Sequence, residues 1–166
     1  MNELMSGRAP VGDAFALPDA AGKVRSLDEF RGRLVLLYFG YAYCPDVCPT
    51  DLAAIGGALR LLGDKAAGVQ PLFVTLDPER DTPQVLGEYA AAFHPSFIAL
   101  HGTEAETQRI ARSYKVFYEK VDDGKGGYLI DHAAFTFLLD RNGKYVAFFP
   151  PGTKPDRMAA LLKEQL

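Results

Sequence analysis

Arg33 to Asp64 reads RLVLLYFGYAYCPDVCPTDLAAIGGALRLLGD, and the change of pattern inside it decides the fold class. Its first part, Arg33 to Tyr41, is a continuous apolar run of strand length, as expected of a strand buried on both faces. From Cys48 the period changes. Leu52, Ile55, Leu59 and Leu62 recur at three- and four-residue spacing, the stripe of a helix, with Pro49 suited to the first turn and Gly63 to the stop. A buried strand running into an amphipathic helix is the first half of a βαβ unit. Both cysteines of the chain, Cys44 and Cys48, fall at the junction, and each is followed by a proline.

Working outward, Gln70 to Leu76 (QPLFVTL) reads as a second buried strand, parallel to the first and joined to it right-handedly. DTPQVLGEYAAAFH reads as a second helix, capped by Asp81 or Thr82 with Pro83 behind the cap. Ser96 to Leu100 predicts a short strand and Glu104 to Tyr114 a helix. Lys115 to Lys120 and Gly127 to Ile130 predict a hairpin around VDDGKGG. Ala133 to Leu139 and Lys144 to Phe149, joined by DRNG, predict two closing strands, and Pro155 to Glu164 a final helix. This βαβ then ββα order is the thioredoxin plan, enlarged by an N-terminal hairpin and an internal insertion. The expectation is one three-layer α/β domain over residues 1–166, with residues 1–10 flexible or the remnant of a removed anchor linker.

Composition narrows the function classes. The 166 residues are 48% hydrophobic, enough to fill one sizeable core. Eighteen basic residues are scattered among 21 acidic ones for a net charge of −3, so no positive stripe is offered to nucleic acid. No apolar run approaches the roughly 20 residues that cross a bilayer. The amino terminus, MNELMSGRAPVGDAF, lacks the basic start and apolar centre of a secretory signal, so the chain reads as cytosolic or as trimmed of its leader. Two cysteines are too few to staple a fold of this length.

Four uses of the cysteine pair compete: a structural disulfide, a redox pair, a peroxide-reducing thiol and a clamp for a soft metal. Closing so short a loop stabilises a fold by about 2 kcal/mol or less, which argues against a purely structural bridge. On the thioredoxin plan both cysteines lie at the carboxyl end of the first central strand, the edge that ligands favour in open α/β sheets. The positive end of the following helix lowers the thiol pKa of at least one of them. A spacing of four brings the sulfurs about one helical turn apart, near enough to share an ion. Pro45 and Pro49 remove two backbone donors and stiffen the turn.

Two thiolates suit Cu(I) but leave it open to solvent, so a third ligand is sought among three histidines. His94, before a proline, reads as a helix terminus, and His101 as a strand end. His132, in LIDHAAFTFLLD, stands immediately before a predicted strand, in the loop that lies against the cysteine turn in the thioredoxin plan. Thioredoxin-like oxidoreductases place a cis-proline in that loop, and no proline occurs between Lys120 and Phe149. Cys44, Cys48 and His132 thus form a three-coordinate set for Cu(I), adaptable to Cu(II), whereas structural zinc wants four protein ligands. Asp131 is placed to orient the imidazole or tune its basicity.

With YCPDVCPTDL, VTLDPERDTPQVLGEY and DHAAFTFLLD in this order, the chain resembles the Sco/SenC family of copper-binding thioredoxin-like proteins. The similarity covers nearly the whole chain. The resemblance implies assistance in assembling the copper centre of cytochrome c oxidase, with copper held by Cys44, Cys48 and His132. It further implies that Asp77, which opens DPERDTP, lies near the site and contacts a redox or copper partner. The implied partners are the oxidase's copper-site subunit or another copper chaperone, and a thiol-disulfide reductant. Family members are held by an amino-terminal membrane anchor. The expectation is therefore the soluble domain of an anchored or exported protein, in the bacterial periplasm at the inner membrane rather than the mitochondrial intermembrane space.

The alternative is a thiol-disulfide oxidoreductase without a copper role, in which Cys44 attacks a partner's disulfide and Cys48 resolves the mixed disulfide. A peroxidase fits poorly. VCPTD superficially matches a peroxiredoxin nucleophile segment, but the positions that should carry threonine or serine and proline hold Pro45 and Tyr41.

Overall fold

The computed structural model describes residues 15–42, 47–116, 118–122, 124–132 and 136–166. The apolar run forms β3 (Leu34–Gly40), buried at every position. It is the middle of a five-stranded sheet ordered β5-β4-β3-β8-β9, in which β4 (Val69–Thr75) and β5 (Ile98–Leu100) run parallel to it. On its other side β8 (Thr136–Leu139) and β9 (Tyr145–Phe149) are antiparallel. Pro71, which cannot donate to a ladder, stands in β4 one residue before the pairing with β5 begins at Leu72. The lead-in is the antiparallel hairpin of β1 (Ala16–Pro18) and β2 (Val24–Ser26).

Alternation along β3 makes the layers. Tyr38 lies 6.2 Å from the Phe73 ring and donates from its hydroxyl to Asp51 of α1 (Val47–Leu62) at 3.1 Å. Phe73 in turn meets Tyr89 of α2 (Pro83–Phe93) at 6.0 Å. Phe39 faces the other way, onto Tyr114 at the end of α3 (Glu104–Ser113) and onto Phe137 of β8, at 5.7 and 6.1 Å. α4 (Pro155–Gln165) lies along α1, where a Cβ at Gly57 would meet Pro155 at 3.1 Å. Helices α1, α2 and α4 thus cover one face of the sheet and α3 the other, the thioredoxin-like arrangement that the element order predicts.

Local chemistry explains the boundaries. Thr82, not Asp81, caps α2, accepting from the Val85 amide with Pro83 following. Thr103 and Glu106 form a capping box at α3. Asp140 accepts from the amides of Asn142 and Lys144, which closes the DRNG turn between β8 and β9.

The insertion departs from the sequence expectation. The hairpin is β6 (Tyr118–Asp122) with β7 (Tyr128–His132), a separate two-stranded sheet in which the first strand lies nearer the turn than expected and the second runs two residues beyond Ile130. The strand expected from Ala133 begins at Thr136, and residues 133–135 lie outside those described. His132 therefore closes β7 opposite Tyr118, with Asp131 opposite Glu119. Backbone pairing across an exposed hairpin continues through polar residues, where apolar periodicity gives no signal.

Helices α1 and α2 approach closely at Gly56, where a Cβ would overlap the Phe93 carbonyl oxygen, and Arg60 donates to that oxygen at 2.8 Å. Gly56→Ala, favourable by about 0.5–1 kcal/mol in an open helix, is expected here to destabilise by about 1–3 kcal/mol. The shift in urea unfolding midpoint measures it.

Candidate metal and thiol site

β3 ends at the carboxyl edge of its parallel neighbours, and the chain passes through buried Tyr41 to Ala42. Cys44 lies outside the described residues, in 43–46; Cys48 is the second residue of α1, in its first turn. Asp51, 5% exposed, steadies the same turn from within, accepting from the Tyr38 hydroxyl and, at 3.2 Å, from the Gly152 amide.

The segment that follows β4 holds this edge together. The Leu76 amide donates to Gly40 O at 2.7 Å, which extends the β3–β4 pairing beyond the strands. Asp81 turns inward instead of capping α2. It is 0% exposed, and its Oδ2 accepts from the Ala42 amide and from Thr75 Oγ1, both at 2.7 Å. Burial pushes the Asp81 carboxyl above its ordinary pKa, opposed by those two hydrogen bonds and reinforced by the nearby charge of Asp77. Its Oδ1 is buried without a hydrogen-bond partner among the described residues.

Asp77 is 1% exposed. Its Oδ2 pairs with Arg80 Nε, its Oδ1 accepts from the Tyr128 hydroxyl at 2.8 Å, and its amide donates to Thr75 Oγ1 at 3.0 Å. Both carboxylate oxygens are thus engaged, and no exposed edge remains for a partner. Arg80 lies 3.7 Å over the Tyr128 ring and 5.9 Å from the centre of the Tyr41 ring, and its Nη1 donates to the Tyr128 carbonyl at 2.7 Å. Burial and the Asp77 carboxylate push the Tyr128 hydroxyl up to about 12. Lys120 of β6 reaches Glu79 at 3.3 Å, and His101 Nε2 contacts the Pro78 carbonyl at 2.9 Å.

Of the residues singled out in the sequence, the fold brings Cys48 to the start of α1 and Asp77 to the adjoining loop. Asp131 and His132 close a hairpin held by that loop through Tyr128. His94 is the C-cap of α2, with Nδ1 accepting from the Ser96 amide, and takes no part in the site. The contributions of Asp81, Arg80 and Tyr128 were not read from sequence; the DPERD spacing after a buried strand is the signal that pointed nearest to them. Among the described residues no group of three or more His, Cys, Asp or Glu forms a metal cluster, and no helix is long and apolar enough to cross a membrane.

The family model described as SCO1/SenC matches residues 4–166. The chain belongs to the SCO1/SenC family. An SCO2-like protein of Rickettsia felis is 41% identical over 155 residues, which are 92% of this chain and 76% of the relative. ScoI of Bradyrhizobium japonicum, solved with copper bound, is 40% identical, with a TM-score of 0.86 over 94% of this chain and 99% of that one. ScoI of Arabidopsis thaliana, also solved with copper bound, is 33% identical, with a TM-score of 0.87 over 93% of this chain and 97% of that one.

The raised pKa of Asp81 fixes a sign for this SCO1/SenC chain. The folded state holds that proton more tightly than the unfolded state, whose carboxyl titrates near 3.8, so the contribution to stability is complete below that pH and is lost as pH rises through the folded pKa. Asp81→Asn, which never ionises, is expected to gain stability relative to the parent as pH rises above about 4. Paired urea titrations across that range measure the difference; a constant difference would remove Asp81 from the account.

Proposed function

We propose that this chain is a copper metallochaperone that binds copper as Cu(I) or Cu(II) through Cys44, Cys48 and His132. The ion passes by ligand exchange to the copper-site subunit of cytochrome c oxidase or to another copper chaperone during oxidase assembly. The observation that carries the reading is near full-length similarity to two relatives solved with copper bound, in a chain with Cys44 and Cys48 in its sequence, Cys48 in the first turn of α1, and His132 at the end of β7. The donor set suits the cargo, since two thiolates and an imidazole favour copper over harder ions. Asp77 supports the hairpin through the Tyr128 hydroxyl, and Asp131, which precedes the histidine in sequence, is the proposed tuning residue. Residues 1–166 act as a single domain, held at the bacterial inner membrane on the periplasmic side by an anchor in the full-length protein.

The second reading is thiol-disulfide exchange by the same pair, favoured by the thioredoxin-like fold and by Cys48 in the first turn of a helix. The Cys44 thiolate attacks a partner's disulfide and releases one partner thiolate, and Cys48 displaces the second. The partner is then a dithiol, Cys44 and Cys48 a disulfide, and an external thiol reductant restores the pair. Reducing the copper-site cysteines of a partner prepares them for metal, so the two activities serve one assembly step.

Anaerobic titration of the reduced protein with Cu(I) against a competing chelator is expected to show tight one-to-one binding. Cys44→Ala or Cys48→Ala abolishes it; His132→Ala weakens it and changes the Cu(II) absorption spectrum without unfolding the domain. Parent protein that fails to compete for Cu(I) while its cysteines still cycle between dithiol and disulfide would leave only the second reading.

A further inference from the structure

The segment 76–81 contacts the end of β3, which leads toward Cys44, and Tyr128 of β7, which ends at His132. On the cysteine side it holds the end of β3 through Leu76 to Gly40 O and through Asp81 to the Ala42 amide, two positions before Cys44. On the histidine side it holds β7 at Tyr128, four positions before His132, by three contacts that share two side chains. These are the Tyr128 hydroxyl to Asp77, the Arg80 guanidinium on the Tyr128 ring, and Arg80 Nη1 on the Tyr128 carbonyl. A Thr75 hydroxyl that donates to Asp81 and accepts from the Asp77 amide joins the two sides. Among the described residues the hairpin β6–β7 forms its own two-stranded sheet and pairs with no strand of the main sheet, so side-chain contacts such as those of Arg80 and Asp77 carry its hold on the loop after β4.

We propose that segment 76–81 is a bracket that fixes the end of β3, which leads toward Cys44, relative to β7, which ends at His132, with Tyr128 and Arg80 as positioning residues for His132. What the bracket serves rests on the copper reading above; that it holds the hairpin does not. Lys120 pairs with exposed Glu79 and lies 5.0 Å from the centre of the Tyr128 ring, a weaker hold than the half-buried Arg80 stack and the charge-assisted hydrogen bonds to the buried Asp77 carboxylate. Arg80 suits the position because a planar guanidinium stacks on a ring while it donates at its edge, which an ammonium cannot do.

Tyr128→Phe removes the hydroxyl and keeps the ring under Arg80; Arg80→Lys keeps the charge and loses the fork. In metal-free protein, both variants are expected to speed amide exchange over Leu129 to His132 about tenfold or more relative to the core of β3. Copper-loaded, both are expected to move the Cu(II) spectrum toward that of His132→Ala and to weaken Cu(II) binding about tenfold, with the two-cysteine Cu(I) stoichiometry kept. Exchange over the hairpin unchanged in both variants overturns the bracket. A parent protein whose Cu(II) spectrum matches that of His132→Ala overturns the third ligand instead, and the bracket is then decided by exchange alone.

Discussion

The carboxyl of Asp81, carried into the interior with no exposed surface, is the constraint on which this edge of the molecule depends. Burying a carboxyl is costly unless hydrogen bonds replace water. Here they come from the Thr75 hydroxyl at the end of β4 and the Ala42 amide just beyond β3, so two adjacent parallel strands end in one polar knot. The chain leaves that knot in two directions. One passes through the cysteine turn into α1, and the other into α2, whose capping falls to Thr82 because Asp81 is engaged elsewhere.

From that knot the site is assembled in stages of decreasing rigidity. β3 and α1 are fixed by the core, with Tyr38, Phe39 and Leu52 without exposed surface. The loop after β4 is fixed by the buried pair of aspartates and by Arg80. Among the described residues the β6–β7 hairpin is joined to that loop by contacts of the Asp77, Glu79 and Arg80 side chains. Local openings are drawn from the least buried parts of a fold. The exposed β6 strand and the glycine-rich turn beyond it meet that description.

How much could be read in the sequence follows from the range of the interactions. The strand at Leu34, the helix after Cys48 and the order of the remaining elements rest on apolar periodicity and cap residues, which act over a few positions. The choice between Asp81 and Thr82 as cap was left open because both side chains can cap. It is settled by Ala42, 39 residues away in the chain. The hold of Arg80 on Tyr128 spans 48 residues and leaves no local pattern. His132 was expected in a loop before a strand because Asp131 and His132 interrupt the apolar run. Their pairing with Glu119 and Tyr118 extends β7 through both. The grouping of Cys44, Cys48 and His132 across 88 positions of sequence came from the thioredoxin plan and the absence of a proline before the closing strands, and the family resemblance implied the same set.

The central claim is that two sulfurs and one imidazole meet at a single copper ion. X-ray absorption at the copper edge of the one-to-one loaded protein tests it most directly, because scattering from sulfur and from an imidazole ring is distinguishable in one spectrum. The account predicts two sulfur ligands and one histidine ligand in the parent, and loss of the imidazole scattering in His132→Ala. A first shell of oxygen and nitrogen without sulfur, or two sulfurs with the same imidazole signal in both proteins, would contradict it.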